Sequence, residues 1–261
     1  MNIYDFAKKK LQREKITMMT CYEYTAATII EKSNIDCVLV GDSAAMVMHG
    51  HADTTTATLA MMISHTQAVA KGLHNKFLIA DLPFMSYRRS LPNTMDAIQQ
   101  LVQAGAHAVK LEGAKGNFKT IQYIVESGVP VMGHIGLTPQ FIHNLGGFKV
   151  QGKNEKSQRD LLEQAQELQQ AGCFAIVLEC MPSTLAKQIS DTLSIPTIGI
   201  GAGPHTDGQV LVWHDMLGLQ TQFTPKFLKR YLAGQTLVND ALNNFVVEVH
   251  NEKFPQIEHC Y

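Results

Sequence analysis

The chain has 261 residues, a formal net charge of −1, 45% hydrophobic residues and 17% charged residues. This composition is typical of a globular protein, and the near-neutral charge gives no reason to expect binding to nucleic acid or to an acidic membrane surface. Every apolar run falls short of the roughly 18 residues that a membrane-spanning helix needs, so we expect no association with a membrane.

The cysteines and the first residues predict a cellular compartment. The five cysteines are odd in number and include no Cys-x-x-Cys pair. Residues 1–14 mix charged and polar side chains and lack the apolar stretch of a secretory signal. We therefore expect free thiols and a cytoplasmic location.

Short apolar runs alternate with helical patterns along the chain. Seven runs are predicted as strands, at residues 16–21, 37–40, 77–80, 108–111, 131–133, 175–178 and 197–200. They are apolar almost throughout, as in parallel strands that are covered on both faces. An eighth strand is predicted near residues 217–219.

The segments between the strands carry helix signals. The capping box at residues 157–160 predicts the start of a helix that Gly172 closes. Another helix is predicted to start at Asn93 and to end before Gly105. Ser183 is expected to cap the helix that follows it.

Strand–helix alternation predicts right-handed βαβ units. The length is close to the about 250 residues of a (β/α)8 barrel. We therefore predict an α/β fold, a (β/α)8 TIM barrel formed by residues 1–261 as a single domain. A C-terminal helical extension is expected beyond Pro225, with one face formed by Phe227, Leu228, Tyr231 and Leu232. An open, doubly wound parallel sheet is the alternative.

Charged residues occur at the ends of several predicted strands. They are Asp42, Asp81, Lys110, Glu112 and Glu179. A charge next to a buried strand is costly unless it is paired, bound to a metal or solvated in a cleft. Because barrel enzymes carry their reactive groups at the carboxyl ends of the strands, these residues predict an active site there.

Asp42, Asp81 and Glu112 are hard oxygen ligands and favour Mg²⁺ over Zn²⁺. Since Mg²⁺ keeps several waters, one of the three carboxylates can bind through water. The alternative is a set of salt bridges to Lys110 or to a nearby arginine.

Glu179 lies on a different strand, and we predict that it is a general base. The alternative is a carboxylate at the barrel rim that is paired with a basic side chain. Lys110 points the same way as Glu112, two residues on, and is predicted to neutralise an anionic substrate. A lysine beside carboxylates stays protonated, which disfavours Schiff-base chemistry. His134 is either structural or a hydrogen-bond partner of substrate or of a carboxylate.

Two weaker signals are a glycine-rich stretch and scattered histidines. Residues 199–203 are similar to loops that bind phosphate, although tight turns also need glycine. His49 and His51 make a poor metal pair without a third nitrogen, and His205 and His214 have no evident partner. We interpret these four histidines as loop or surface residues.

Nine blocks of sequence together resemble the ketopantoate hydroxymethyltransferase family, from about residue 17 to about residue 254. They read GDS at 41–43, ADLPFM at 80–85, KLEG at 110–113, GHIGLTPQ at 133–140, GGFKVQG at 146–152, LEC at 178–180, GIGAG at 199–203, TDGQVLV at 206–212 and HD at 214–215. One departure is the stretch 54–58, which lacks the proline that is common in the family.

The resemblance implies a Mg²⁺-dependent enzyme of pantothenate and coenzyme A synthesis. Such an enzyme transfers a hydroxymethyl group from 5,10-methylenetetrahydrofolate to 3-methyl-2-oxobutanoate through a Mg²⁺-stabilised enolate and gives 2-dehydropantoate. The partners implied are the small 2-oxoacid, the folate and other copies of the chain, in a homodecamer of two stacked pentamers. The fold implied is a barrel of the phosphoenolpyruvate/pyruvate type.

The resemblance also implies roles for individual residues. By position, Asp42, Asp81 and Glu112 match the metal site of the family, and Glu179 matches its proton acceptor. The positions that match its oxoacid-binding residues are Asp42, Ser43, Asp81 and Lys110.

Two other functions remain open from the residues. A Mg²⁺-dependent C–C lyase or mutase on the same kind of barrel needs a reactive loop cysteine, for which Cys180 is a weak candidate. A non-catalytic, ring-forming scaffold leaves the converging charges unexplained.

Overall fold

The eight strands form a closed parallel barrel. In the computed structural model, which describes residues 1–220 and 224–261, the strands pair in chain order and β8 closes on β1. The strands are β1 (Ile16–Thr20), β2 (Cys37–Val40), β3 (Phe77–Asp81), β4 (Ala108–Lys110), β5 (Val131–Gly136), β6 (Ala175–Glu179), β7 (Thr197–Ile200) and β8 (Gly208–Leu211). Closure confirms the predicted (β/α)8 TIM barrel and excludes the open sheet.

Helices precede, separate and follow the strands. They are α1 (Ile3–Gln12), α2 (Tyr24–Glu31), α3 (Ala44–Val47), α4 (Leu59–Gly72), α5 (Leu91–Gln103), α6 (Phe118–Glu126), α7 (Ile142–Leu145), α8 (Glu155–Gln170), α9 (Ser183–Thr192), α10 (Trp213–Met216) and α11 (Gly234–His250). Single 3₁₀ turns occur at Thr54–Thr56, Pro139–Phe141 and Ile257–His259. None of the helices among the described residues is long and apolar enough to cross a lipid bilayer.

Three predicted helix starts were wrong. Two helices begin a few residues earlier than predicted, and one has a different capping residue. α8 begins at Glu155 because Asn154 is its N-cap, and Ser157 is the reciprocal partner three residues on. α5 begins at Leu91, capped by the Ser90 side chain. α9 does begin at Ser183, but Pro182 is its N-cap and no side chain caps it.

The predicted eighth strand was also wrong. Residues 217–219 form the turn after α10, and the eighth strand is Gly208–Leu211. Its register places Gly208 opposite Ile16 of β1. A Cβ at position 208 would collide with the carbonyl oxygen of Ile16 and with the side chain of Ile198. The closing strand therefore starts with glycine, which weakens its apolar pattern.

Residues 1–211 form one compact unit that contains the barrel, and residues 212–261 form a second compact unit. The second unit contains the predicted C-terminal helix, but α11 begins only at Gly234. Upstream, Tyr231 N and Gly234 N donate to the carbonyl oxygens of Met216 and Leu217 at 2.8 and 2.9 Å. These bonds replace helical ones, so the predicted helical face from Phe227 to Leu232 does not form. The single domain of residues 1–261 stays a prediction.

The lower half of the barrel is filled with apolar side chains. The cluster is formed by inward-facing residues of the eight strands and by Phe6 of α1. Phe6 is fully buried and makes edge-to-face contacts with Phe77 and Phe174, at centroid distances of 5.7 and 5.1 Å. Helix α1 therefore closes the amino-terminal end of the barrel with an aromatic side chain.

We expect Phe6→Ala to lower the free energy of unfolding by about 3–5 kcal/mol, because it leaves a cavity among packed aromatic rings. Chemical denaturation measures this change. Leu11→Ala is the matched control on the same helix, since Leu11 is 86% exposed. A change below about 0.5 kcal/mol is expected for it. Equal losses in the two variants would contradict the role of Phe6.

Candidate active site

The charged residues lie on the inner face of the barrel because of strand alternation. Successive residues of a strand point to opposite faces, so steps of two from an inward-facing core residue stay inside. Such steps reach Asp81 on β3, Lys110 on β4, His134 on β5 and Glu179 on β6. Glu112 continues the β4 series just beyond the strand. The barrel interior thus changes from apolar to charged at the carboxyl ends of the strands.

Asp42, Asp81 and Lys110 form the first part of the site. The Asp42 backbone N–H donates to Asp81 Oδ2 at 3.0 Å, and Lys110 Nζ lies 2.8 Å from Asp81 Oδ1. Asp42, Asp81, Lys110 and Glu112 are each at most 4% exposed. The structure therefore brings together residues that are far apart in the sequence, in an environment with little water.

Gln140 connects two of the carboxylates. Its Nε2 donates to Asp42 Oδ2 at 2.8 Å and to the Leu82 carbonyl oxygen at 2.9 Å. Its backbone N–H donates to Glu112 Oε2 at 3.0 Å. The Tyr87 hydroxyl in turn donates to Gln140 Oε1 at 2.7 Å, which fixes the orientation of the amide. Gln140 therefore positions both Asp42 and Glu112.

His134 lies between the buried cluster and Glu179. Its Nδ1 is 3.3 Å from Lys110 Nζ and 3.4 Å from Glu112 Oε1, and its Nε2 is 3.2 Å from Glu179 Oε2. The Glu179 side chain is 16% exposed, more than those of Asp81, Lys110, His134 and Glu112. Glu179 is thus the carboxylate of this group that is most open to a bound molecule.

The crowded charges shift several pKa values. Burial raises the pKa of Asp42 well above its usual range, and the charges of Asp81 and Glu112 raise it further. Burial also raises the pKa of Asp81, although Lys110 opposes this shift. Burial lowers the pKa of Lys110, but the charges of Asp81, Glu112 and Asp42 outweigh it and raise this pKa above its usual value. Lys110 therefore stays protonated.

His134 experiences opposing influences. Burial and the Lys110 charge lower its pKa, whereas its contacts with Glu112 and Glu179 raise it, to about 9 as the net result. The two nearby carboxylates thus outweigh burial and the Lys110 charge. The structure places His134 between Glu112 and Glu179, and its role stays a prediction.

Ser43 lies at the edge of the cluster, directly after Asp42. Its Oγ is 2.8 Å from the hydroxyl of Tyr22, which follows β1. Gly41 lies beside it, where a Cβ would press against Ser43 Oγ and approach Asp81 Oδ2. The small residue at position 41 leaves room for both side chains.

The glycines of residues 199–203 have packing reasons. A Cβ at Gly199 would crowd Thr206, and one at Gly203 would collide with Ser183. Gly201 and Gly203 also have positive φ values of 65° and 81°. These steric and backbone constraints explain the glycines, so no phosphate-binding role is needed to account for them.

A cavity of about 550 Å³ is lined by residues that follow β4 and β5, and the charged residues of the cluster do not line it. It is lined by Gly113, which follows Glu112, and by Gly136 at the end of β5, together with Arg88 and Phe141. The Arg88 guanidinium lies over the Phe141 ring, 5.2 Å from its centroid. The cavity therefore has the size of a small-molecule site and lies at the carboxyl ends of the strands.

Comparison with known proteins identifies the family. Residues 1–257 match the sequence model described as ketopantoate hydroxymethyltransferase. The chain belongs to the ketopantoate hydroxymethyltransferase family. A 3-methyl-2-oxobutanoate hydroxymethyltransferase of Legionella pneumophila (strain Paris) is 58% identical over 262 residues, with 100% of both chains covered. The protein of that name from Francisella tularensis subsp. tularensis (strain WY96-3418) is 58% identical over 260 residues, covering 100% of this chain and 98% of the relative.

Solved structures with the same fold are more distant. Phosphonopyruvate hydrolase, solved with oxalate and Mg²⁺, gives a TM-score of 0.65 at 12% identity and covers 99% of this chain and 93% of its own. 2,3-Dimethylmalate lyase, a member of the PEP mutase/isocitrate lyase superfamily, gives 0.61 at 12% identity and covers 99% and 90%. These likenesses show that this ketopantoate hydroxymethyltransferase family member shares their barrel.

Three polar residues of the candidate site were not predicted from the sequence. Gln140 stands in the GHIGLTPQ block, which carried the resemblance, but no pattern indicated its hydrogen bonds. Tyr87 and Tyr22 lie in loops after β3 and β1 and follow no strand directly. The burial of Gln140 is evident only from the structure.

Gln140→Met is expected to lower the free energy of unfolding by about 1–3 kcal/mol, because it leaves buried partners without hydrogen bonds. Urea titration measures this loss. Gln166→Met is the control, since Gln166 is exposed on α8. If Gln140→Met unfolded at the same urea concentration as this control, Gln140 would have no positioning role.

Proposed function

We propose that the protein transfers a hydroxymethyl group from 5,10-methylenetetrahydrofolate to 3-methyl-2-oxobutanoate and so makes 2-dehydropantoate for pantothenate and coenzyme A synthesis. Family membership supports the reaction. The observation that carries the proposal is one unbroken series of contacts, from Asp81 through Lys110 and His134 to Glu179. This series of contacts connects the buried Lys110, which can neutralise an anionic substrate, with the more exposed carboxylate of Glu179.

The residues present fit a Mg²⁺ ion. Asp81 Oδ1 is buried and accepts no hydrogen bond of good geometry from the described residues, although Lys110 Nζ lies beside it. Among the described residues, no group of three acidic, histidine or cysteine side chains is placed so that it could hold a metal ion. A Mg²⁺ ion keeps several waters and needs only one or two protein carboxylates, so the proposal rests on Asp81 and Asp42 and not on a complete set of ligands. We propose that Asp42 and Asp81 hold the ion, with Glu112 bound directly or through water.

When bound, Mg²⁺ supplies Lewis-acid stabilisation of negative charge on the oxygen of the substrate's 2-oxo group. The protein residues bind the rest of the oxoacid. The protonated Lys110 neutralises an anionic substrate, and Ser43, at the edge of the cluster, offers a hydroxyl hydrogen bond. The buried surroundings strengthen both interactions.

Glu179 acts as the base in this proposal. It takes the C3 proton of the oxoacid and leaves an enolate. The enolate carbon forms a bond to the folate methylene carbon, and water supplies the hydroxyl oxygen. Both carbon–nitrogen bonds of the methylene bridge break, and the two folate nitrogens take up the proton removed from C3 and one proton from water. His134 Nε2 lies 3.2 Å from Glu179 Oε2, beside the proposed base.

The folate needs more space than the oxoacid. The cavity of about 550 Å³ falls within the range of about 300–1,000 Å³ for small-molecule sites. Two of its lining residues are neighbours of the site, since Gly113 follows Glu112 and Gly136 pairs with Glu179. We propose that the folate approaches from this side.

Three broader predictions belong to the same proposal. Five free cysteines fit a reducing, cytoplasmic location. A homodecamer of stacked pentamers agrees with the exposed apolar side chains of α11, which include Leu237, Leu242 and Phe245. We also keep residues 1–261 as a single catalytic domain.

The lyase or mutase alternative receives no support from Cys180. Burial, followed by the charge of Glu179, raises the pKa of this thiol to about 12. It is therefore not a thiolate at neutral pH, and the thiolate is the reactive form of cysteine.

Glu179→Gln is expected to abolish the exchange of the C3 proton of 3-methyl-2-oxobutanoate, because the amide is not a base. Proton NMR in deuterated buffer with Mg²⁺ measures this exchange. Metal affinity is expected to stay nearly unchanged, and Glu163→Gln on the exposed face of α8 is the control. Normal exchange together with lost metal affinity would refute the role of Glu179.

Asp81→Asn is expected to weaken Mg²⁺ binding by about tenfold or more, because it removes a charged oxygen ligand. Isothermal titration with Mg²⁺ measures this affinity. The control is Asp96→Asn, at an exposed position on α5. An unchanged titration would remove Asp81 from the metal site.

A further inference from the structure

Two surface histidines outside the active site meet through their Nε2 atoms. His49 lies just after α3 and His65 lies on α4, and their Nε2 atoms are 2.9 Å apart. The rings are nearly perpendicular, with centroids 5.2 Å apart. Sixteen residues separate the two in the sequence. The fold therefore creates a pair that sequence spacing did not indicate.

The tautomer of His65 is fixed by the backbone. Its Nδ1 lies 2.6 Å from the carbonyl oxygen of Tyr22. Since a carbonyl oxygen only accepts, Nδ1 carries a proton, and the neutral ring has its lone pair on Nε2. That lone pair points towards His49. Metal-binding histidines are usually oriented in this way, with the other ring nitrogen donating to a backbone carbonyl.

We propose that His49 and His65 bind a divalent transition-metal ion such as Zn²⁺ through their two Nε2 atoms. Two nitrogens at 2.0–2.1 Å from a tetrahedral ion lie about 3.3 Å apart. The observed separation of 2.9 Å needs to open by only a few tenths of an ångström, and the exposed His49 side chain is the one that would turn. The neutral His49 ring carries its proton on Nδ1 in the bound state instead of on Nε2.

The remaining ligands of the proposed site are water molecules. His51 stacks on His49 with a centroid distance of 6.4 Å, although no group of three such residues among the described ranges is already arranged as a cage. The nitrogen ligands distinguish this site from the oxygen ligands of the carboxylate cluster. A Zn²⁺ ion here ties the segment that follows Ser43 to α4, independently of the proposed reaction.

The test is isothermal titration of the full chain with Zn²⁺ in excess Mg²⁺, which occupies the carboxylate cluster. The wild type is expected to bind one equivalent, and His49→Gln and His65→Gln are each expected to bind at least tenfold more weakly. The control is His74→Gln, an exposed histidine just beyond α4, which is expected to bind as the wild type does. Thermal unfolding followed by circular dichroism checks that each variant is folded.

Three results would overturn the site. The first is a wild type that takes up no Zn²⁺ under these conditions. The second is undiminished binding in either folded variant, His49→Gln or His65→Gln. The third is an equal loss in His74→Gln, which would show that the ion binds to surface histidines without preference.

Discussion

Mutual repulsion among buried carboxylates is the constraint on which the site depends. Asp42, Asp81 and Glu112 share one end of the barrel with little water to screen them. Lys110 offsets part of the negative charge, and Gln140 holds two of the carboxylates by hydrogen bonds. In the proposed function, a Mg²⁺ ion would offset the rest. Buried carboxylates without such a partner are costly, because each charge is removed from water.

The residues that stabilise the barrel are different from the residues that form the charged site. Its lower half is a dry apolar cluster closed by Phe6, whereas the charged side chains occupy the upper end of the same inward-facing rows. A single strand therefore contributes residues to both the apolar core and the candidate site. In β3, Phe77 and Ile79 lie in the core and Asp81 lies in the site. Stability and chemistry then depend on different residues of each strand.

The site residues that were predicted from the sequence are those at the ends of strands. Asp81 and Glu179 were predicted because a charged residue at the end of an apolar run is easy to recognise in a sequence. Gln140 was not found, since its bonds depend on how the turn after β5 packs against distant loops. The strand that begins at Gly208 was missed for a similar reason, because its glycine serves a close contact with β1. The pairing of His49 with His65 of α4 was not indicated by the linear pattern either.

The closure of β8 on β1 has a consequence for how the chain acquires its structure. Because Ile16 of β1 pairs with Gly208 of β8, β1 gains its second neighbouring strand only when β8 has been synthesised. Phe6 likewise contacts Phe174 only after most of the barrel has been synthesised. Contacts between such distant positions make folding slow and leave strand edges exposed in partly made chains. In a partly synthesised chain, the edge of β1 that later pairs with β8 is therefore uncovered.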